Sequence, residues 1–411
     1  MNNTINILKQ EMREVLENNI LSFWLNKMQD YENRGFYGQM KGDGTLVPTA
    51  NKGGILNARI LWSFSAAYRV LGNPEYLMAA TRAKDYILEH FIDKEFGGIY
   101  WELDYQGKPV DTKKQFYAIG FAIYGLSEYA RATGDEEAML YAIRLFHDIE
   151  DHSFDHEYNG YIEACTRDWG EIADMRLSEL DANYPKSQNT HLHIIEPYAN
   201  LFRCMNEWEA KGKTVDAEAK AQVEYALRNI INIFTDKILN PETHHLDLFF
   251  DMDWKRGAGQ IESYGHDIEC SWLMHEAALV LGDKAVLDKV EPIVKLVAEA
   301  STKGINPDGS MTHEANLDTG HVDADRHWWV QAENVVGWIN IYEHFDDQNA
   351  LDRAVECWQY IKDNLIDHEL GEWYWSRDPE GKLNTTDDHA GFWKCPYHNS
   401  RMCLEIIERF R

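Results

Sequence analysis

Six copies of one short pattern, spaced almost evenly along the chain, constrain its fold more than any other feature. They read Gly35-Phe36-Tyr37-Gly38, Gly98-Ile99-Tyr100-Trp101, Gly160-Tyr161-Ile162-Glu163, His245-Leu246-Asp247-Leu248, Gly304-Ile305-Asn306-Pro307 and Gly371-Glu372-Trp373-Tyr374. Their first residues, 35, 98, 160, 245, 304 and 371, lie 63, 62, 85, 59 and 67 residues apart. Runs this short suit a loop hairpin rather than a long strand. A second mark alternates with the first: Leu71-Gly72-Asn73-Pro74, Thr133-Gly134-Asp135-Glu136, Leu281-Gly282-Asp283-Lys284, Phe345-Asp346-Asp347-Gln348 and, more weakly, Lys211 to Asp216. In each, a polar turn stops one helix and an acidic or amide residue caps the next. Between the marks apolar residues recur at helical spacing, as in Leu56, Ile60, Phe64, Ala67 and Leu71, or Ile119, Ile123, Leu126 and Ala130. Strand alternation never runs for six residues.

Six hairpins of helices either form an open superhelix or close into a ring. An open array needs polar end caps and a long concave face, whereas closure leaves one central pocket. Loops rich in Trp, Tyr, Asp and His suit closure around a single mouth. The expected fold is all-α, an (α/α)6 barrel of six helical hairpins, with residues 1–411 forming one catalytic domain. The longest irregular segment, Thr166 to Asn189, is expected to serve as a lid or pocket wall.

Charge narrows the partners. The chain carries 69 acidic residues against 40 basic ones, a formal charge of −29, which disfavours nucleic acid and anionic membrane surfaces. A neutral polar small molecule fits better, and 14 Trp and 21 Tyr supply flat faces for it. The first seventeen residues lack the pattern of a secretory signal, and no apolar run reaches the ~18 residues of a membrane span, so a cytoplasmic protein is expected. Its six cysteines are scattered without a Cys-x-x-Cys, against a zinc ribbon or a disulfide framework. Monomer and homodimer both remain open.

Chemistry concentrates in four stretches. In Gly265-His266-Asp267-Ile268-Glu269-Cys270-Ser271-Trp272, His266 and Glu269 share a helix face, so the carboxylate is expected to orient the imidazole. Asn189-Thr190-His191-Leu192-His193 places Asn189 and His193 on one face. Arg326-His327-Trp328-Trp329 puts Trp329 four residues before Glu333, an aromatic platform beside a carboxylate. Phe392 to Arg401 sets Trp393 and His398 just before a last helix expected over Met402 to Phe410, where the helix dipole favours a neutral, basic imidazole. Arg59, embedded in an apolar helix, is expected to reach the pocket, because a buried guanidinium needs acceptors. Tyr117 opens the equivalent helix one repeat later. No His-Glu-x-x-His, Gly-x-Gly-x-x-Gly or phosphate loop occurs, so neither a metal nor a cofactor is expected.

Taken in order, Asn189 to Tyr198, Gly265 to Trp272, Arg326 to Glu333 and Trp393 to Arg401 resemble the motifs of the N-acylglucosamine 2-epimerase superfamily, in its cellobiose 2-epimerase branch. The resemblance implies an (α/α)6 barrel and cofactor-independent epimerisation at C2 of the reducing-end sugar of a β-1,4-linked disaccharide. It places Arg59, Tyr117, Asn189, His193, His266, Glu269, Trp272, Trp329, Glu333, Trp393 and His398 in the pocket. The chemistry asks for two bases on opposite faces of an enediolate, which His266 and His398 would supply. Arg59 and His193 would stabilise its oxygens, and Trp329 and Trp393 would hold the sugar rings. Rival readings are an epimerase of mannobiose or an N-acylated sugar, an aldose-ketose isomerase, a glycoside hydrolase with two flanking carboxylates, and a non-catalytic sugar-binding protein.

Overall fold

A computed structural model describes residues 3–411. Among these described residues, twelve helices alternate between two concentric rings. The outer helices are α1 (Asn3–Val15, prolonged by a π turn at Leu16–Leu21 and by Ser22–Lys27), α3 (Pro74–Tyr86), α5 (Glu136–His152), α7 (Ala217–Ile233), α9 (Lys284–Ser301) and α11 (Gln348–Asn364). The inner ones are α2 (Gly54–Leu71), α4 (Phe116–Thr133), α6 (Gln188–Ala210), α8 (Tyr264–Leu281), α10 (Trp328–Phe345) and α12 (Tyr397–Arg409). Each inner helix packs on the next, and α12 returns to α2, so the ring closes. Helix α1 seals the seam by packing on α12. This is the (α/α)6 barrel expected from the repeats.

The inner helices are buried on nearly every face, which explains why their apolar residues are not confined to one stripe. Close approach needs small residues at chosen points. A Cβ on Gly120 of α4 would meet the His193 carbonyl of α6 at 2.4 Å. The helix stops read from the sequence hold: Gly72, Gly134, Gly282 and Asp346 are left-handed C-caps, and Asn73, Asp135, Asp216, Asp283 and Asp347 cap the following helices through their side chains.

The aromatic marks are tight turns of one design. The amides of Asp30, Asp93, Asp155, Asn240 and Asp367 donate to the carbonyls of Gly35, Gly98, Gly160, His245 and Glu372. In each turn the leading side chain also accepts amide hydrogen bonds from residues two and three further on. The fifth copy corrects the sequence reading. There Ile305 pairs with Met311, so Ile305 is the first arm of the turn and Ser310, not Gly304, is the counterpart of Gly35. The sixth is displaced by one residue, to Glu372. With 310 and 372 in place of 304 and 371, the last two intervals become 65 and 62, closer to the first two.

One repeated device carries no obvious sequence signal. Lys52, Lys114 and Lys186 each sit two residues before an inner helix and reach back to the turn aspartate, with Nζ–Oδ2 distances of 2.8 Å to Asp30, 3.0 Å to Asp93 and 2.7 Å to Asp155. These buried pairs fix where the inner helices start. Strands are at most three residues long and form small sheets beside the helix starts. All six cysteines are unpaired and buried. Among the described residues no helix is long and apolar enough to cross a membrane.

Candidate active site

The first turns of the inner helices converge on one cleft. Its inner chamber, about 280 Å³, takes Arg59 from α2, Tyr117 from α4, Asn189 and His193 from α6, His266 and Glu269 from α8, Trp328 and Trp329 from α10, and His398 from α12. It opens into an outer chamber of about 500 Å³. Leu177, Ser178 and Asp181 border both, so the irregular segment after Thr166 does wall the pocket. Together the chambers fall in the size range of small-molecule sites.

Two imidazoles stand beside the Trp329 ring, His266 with its centroid at 4.8 Å and His398 at 5.7 Å. Gly265 makes room for that ring, which lies 2.7 Å from where a Cβ would stand. Each histidine has Nδ1 engaged, leaving Nε2 for the chamber. Ser263 Oγ holds His266 Nδ1 at 2.8 Å, and Glu333 Oε1 holds His398 Nδ1 at 2.6 Å. Burial lowers both imidazoles to about 3, against the opposing pull of Glu333 on His398. Both are therefore neutral bases at neutral pH. The carboxylate partner fixes His398 with its proton on Nδ1, whereas a hydroxyl, as donor or acceptor, allows His266 either tautomer.

Beneath the chamber lies Arg401, fully buried and ringed by carboxylates. Its Nη2 donates to Glu269 at 2.6 Å and Glu333 at 2.7 Å, and its Nη1 to Glu196. Burial raises a carboxyl, yet Arg401 and His398 hold Glu333 down at about 2. Burial and the nearby Glu333 charge push Glu269 well up, which favours its protonated form. So Glu333 is the ionised partner.

Four expectations need correction. Glu269 does not orient His266, because the guanidinium of Arg401 competes for its carboxylate and Ser263 already holds the imidazole. Trp272 is completely buried and outside the chamber; its Nε1 donates to Glu333 Oε2 at 3.0 Å, and its face packs on Arg401. Glu333 likewise lies one turn below Trp329, behind His398 rather than in the cavity. The last helix also starts earlier than expected, at Tyr397, which brings His398 into its first turn.

On the opposite wall Arg59 donates to the Tyr117 hydroxyl at 2.8 Å and lies over the Phe121 ring, 4.2 Å from its centroid. His193 Nδ1 meets Glu196 at 3.1 Å, and burial with two nearby guanidinium charges keeps the imidazole neutral. Arg59 Nε, Asn189 Oδ1 and Glu269 Oε2 are buried without a partner in the protein, and all three residues line the chamber, where a hydroxylated ligand would satisfy them. Trp393 completes the inner wall together with Trp375, which sequence reading missed. Arg401, Glu196 and Ser263 were also missed as site residues. Arg401 and Glu196 fall inside recognised motifs, but nothing in their spacing revealed that they meet.

An acid–base enzyme built on an (α/α)6 barrel is what this fold and site define. Comparison with known proteins narrows the class. Residues 35–401 match the N-acylglucosamine 2-epimerase (GlcNAc 2-epimerase) family. The cellobiose 2-epimerase of Bacteroides fragilis is 57% identical, over 98% of this chain and 99% of its own. That of Ruminococcus albus is 41% identical, over 97% and 98%. The solved structure of cellobiose 2-epimerase from Bacillus thermoamylovorans B4167 superposes with a TM-score of 0.90 at 40% identity, covering 98% of this chain and all of that one. The chain belongs to the N-acylglucosamine 2-epimerase family.

Proposed function

We propose that the protein epimerises C2 of the reducing-end glucose or mannose of β-1,4-linked disaccharides, converting cellobiose to 4-O-β-D-glucosyl-D-mannose. Full-length relatives that carry this activity in their names support the substrate class. The observation that carries the mechanism is the pair of neutral imidazoles, His266 and His398, both beside Trp329 in one chamber with Nδ1 engaged.

Ring opening exposes an aldehyde at C1, which acidifies the proton on C2. One imidazole Nε2 removes that proton, giving a planar enediolate. The other, having taken up a proton from solvent, returns it to the opposite face, the first releases to solvent the proton it took, and ring closure completes the exchange. Arg59 faces the developing oxyanion, a type of contact worth about 3 kcal/mol per donor, whereas His193, neutral with Nδ1 on Glu196, keeps an Nε2 lone pair that accepts from a substrate hydroxyl. Positioned proton transfer contributes a further ~10²–10⁴ in rate. Trp329 and Trp393 offer the apolar faces on which pyranose rings stack, and the outer chamber accommodates the second sugar.

Replacing His398 or His266 by Ala tests this reading. Each variant should lose at least ~10²-fold in epimerisation while still binding cellobiose. Undiminished turnover in either would remove the two-base mechanism.

A further inference from the structure

Outside the acid–base machinery, His313, Asp323 and His327 converge at the rim of the cleft from three separate segments: the loop after Met311, the end of a three-residue strand, and the residue that caps α10. Asp323 Oδ2 lies between two imidazole nitrogens, 2.9 Å from His313 Nδ1 and 3.9 Å from His327 Nε2. The two rings stack at 4.3 Å, only 10° from parallel, so both present a nitrogen to the same carboxylate. All three ligand atoms lie within 4.8 Å of one another. Ligands around a tetrahedral zinc, with bonds near 2.1 Å, stand roughly 3.4 Å apart, so small side-chain movements would close this set on an ion.

Two further features favour an ion. The other oxygen of Asp323 accepts the Asp325 amide at 3.2 Å, which orients the carboxylate as an outer-shell partner does in metal sites. Arg326, adjacent in sequence, is turned away toward Ser310 Oγ and the Ala324 carbonyl, so it does not neutralise the cluster. The contrast is the second group of possible ligands, Glu269, Glu333 and His398, whose carboxylates already share the Arg401 guanidinium.

We propose that His313, Asp323 and His327 bind a divalent transition metal of the zinc type, with the fourth coordination position open to the cleft. All three residues border the outer chamber, and the two histidines border the inner one as well. A bound ion would therefore occupy space that the second sugar needs. The site is inhibitory, and catalysis does not use it.

The test separates binding from activity. Chelator-treated protein is titrated with Zn²⁺ by calorimetry and with Co²⁺ by visible absorption. Wild type should take one equivalent with a tetrahedral cobalt spectrum, and Asp323→Asn and His327→Gln should each weaken binding by at least tenfold. Zn²⁺ should raise KM for cellobiose in wild type. In both variants, each normalised to its own metal-free rate, inhibition should need at least tenfold more metal. No binding, or one equivalent that neither substitution weakens, overturns the proposal, even if the epimerase reading stands. Binding without any effect on KM overturns the inhibitory role.

Discussion

Replacing Glu333 by Gln changes one atom of the buried network and should disable His398 without emptying the pocket. The carboxylate accepts from His398 Nδ1 at 2.6 Å, Arg401 Nη2 at 2.7 Å and Trp272 Nε1 at 3.0 Å, so it receives three hydrogen bonds and donates none. An amide in its place has one oxygen and an NH₂ group. With the oxygen toward Trp272, the NH₂ faces His398 and Arg401; only an Nδ1 lone pair on His398 can accept from it, which moves the imidazole proton to Nε2. The base then points an N–H at the substrate. The same tautomer fault in the Asp-to-Asn variant of the serine protease triad, which serves here as precedent, costs about 10⁴ in kcat. For Glu333→Gln we expect a loss of about 10³–10⁴, equivalent to roughly 4–5.5 kcal/mol. KM should change little, because Asn189, Trp329 and Trp393 are untouched. Loss of a hydrogen bond to a charged group should also lower stability by about 1.5–3 kcal/mol. Cellobiose turnover, followed by chromatographic separation of the epimers, gives both constants, and thermal melting checks folding. A folded variant with kcat within tenfold of wild type would refute this role for Glu333.

Other consequences follow from the same geometry. The imidazole that takes the C2 proton must be deprotonated to act, and burial holds both near 3. Because a lowered pKa keeps the base free at lower pH, the acid limb of kcat/KM should lie well below the ordinary histidine value of ~6.5; a limb at 6.5 or above would contradict it. Trp272→Phe keeps the buried ring but removes the donor to Glu333, so kcat should fall by roughly tenfold with KM unchanged, a loss of the size of one hydrogen bond to a charged group; a selective rise in KM would instead make Trp272 a sugar contact. Lys186→Met strands Asp155 and should cost about 3–5 kcal/mol in denaturant unfolding. In wild type that pair holds the Asp155 carboxyl low against burial, so its stabilisation is complete above the unfolded carboxyl value of ~3.9 and fades as pH falls through the folded one. The variant should lose the part of that acid dependence that Lys186 supplies and keep the part supplied by the Glu157 and Tyr158 amides.

Much of the architecture is legible in the chain, because the helix stops and turns are local. Gly72-Asn73-Pro74 and Gly134-Asp135 define a stop and a cap within three residues, and the structure keeps both. The fifth turn misled because its loop is one residue shorter and Gly304 sits before it, where backbone packing against Tyr264, not the turn, demands a glycine. In the site, residues exposed by helical spacing were found, whereas long-range partners were not. His266 and Glu269 share a face of α8, but Arg401, 132 residues from Glu269, decides where that carboxylate points. Trp272 and Glu333 carry the right motif, yet burial turns both into supports for His398. Spacing along a helix reveals a face and says nothing of what stands opposite.

The central claim, proton exchange at C2 by two histidines through an enediolate, is tested most directly by an NMR time course of cellobiose with the purified protein in heavy water, with EDTA present. The account predicts growing signals of 4-O-β-D-glucosyl-D-mannose carrying deuterium at C2. Free glucose would indicate hydrolysis of the glycosidic bond, and epimer formed without deuterium would exclude exchange of the C2 proton with solvent; either result would contradict the mechanism.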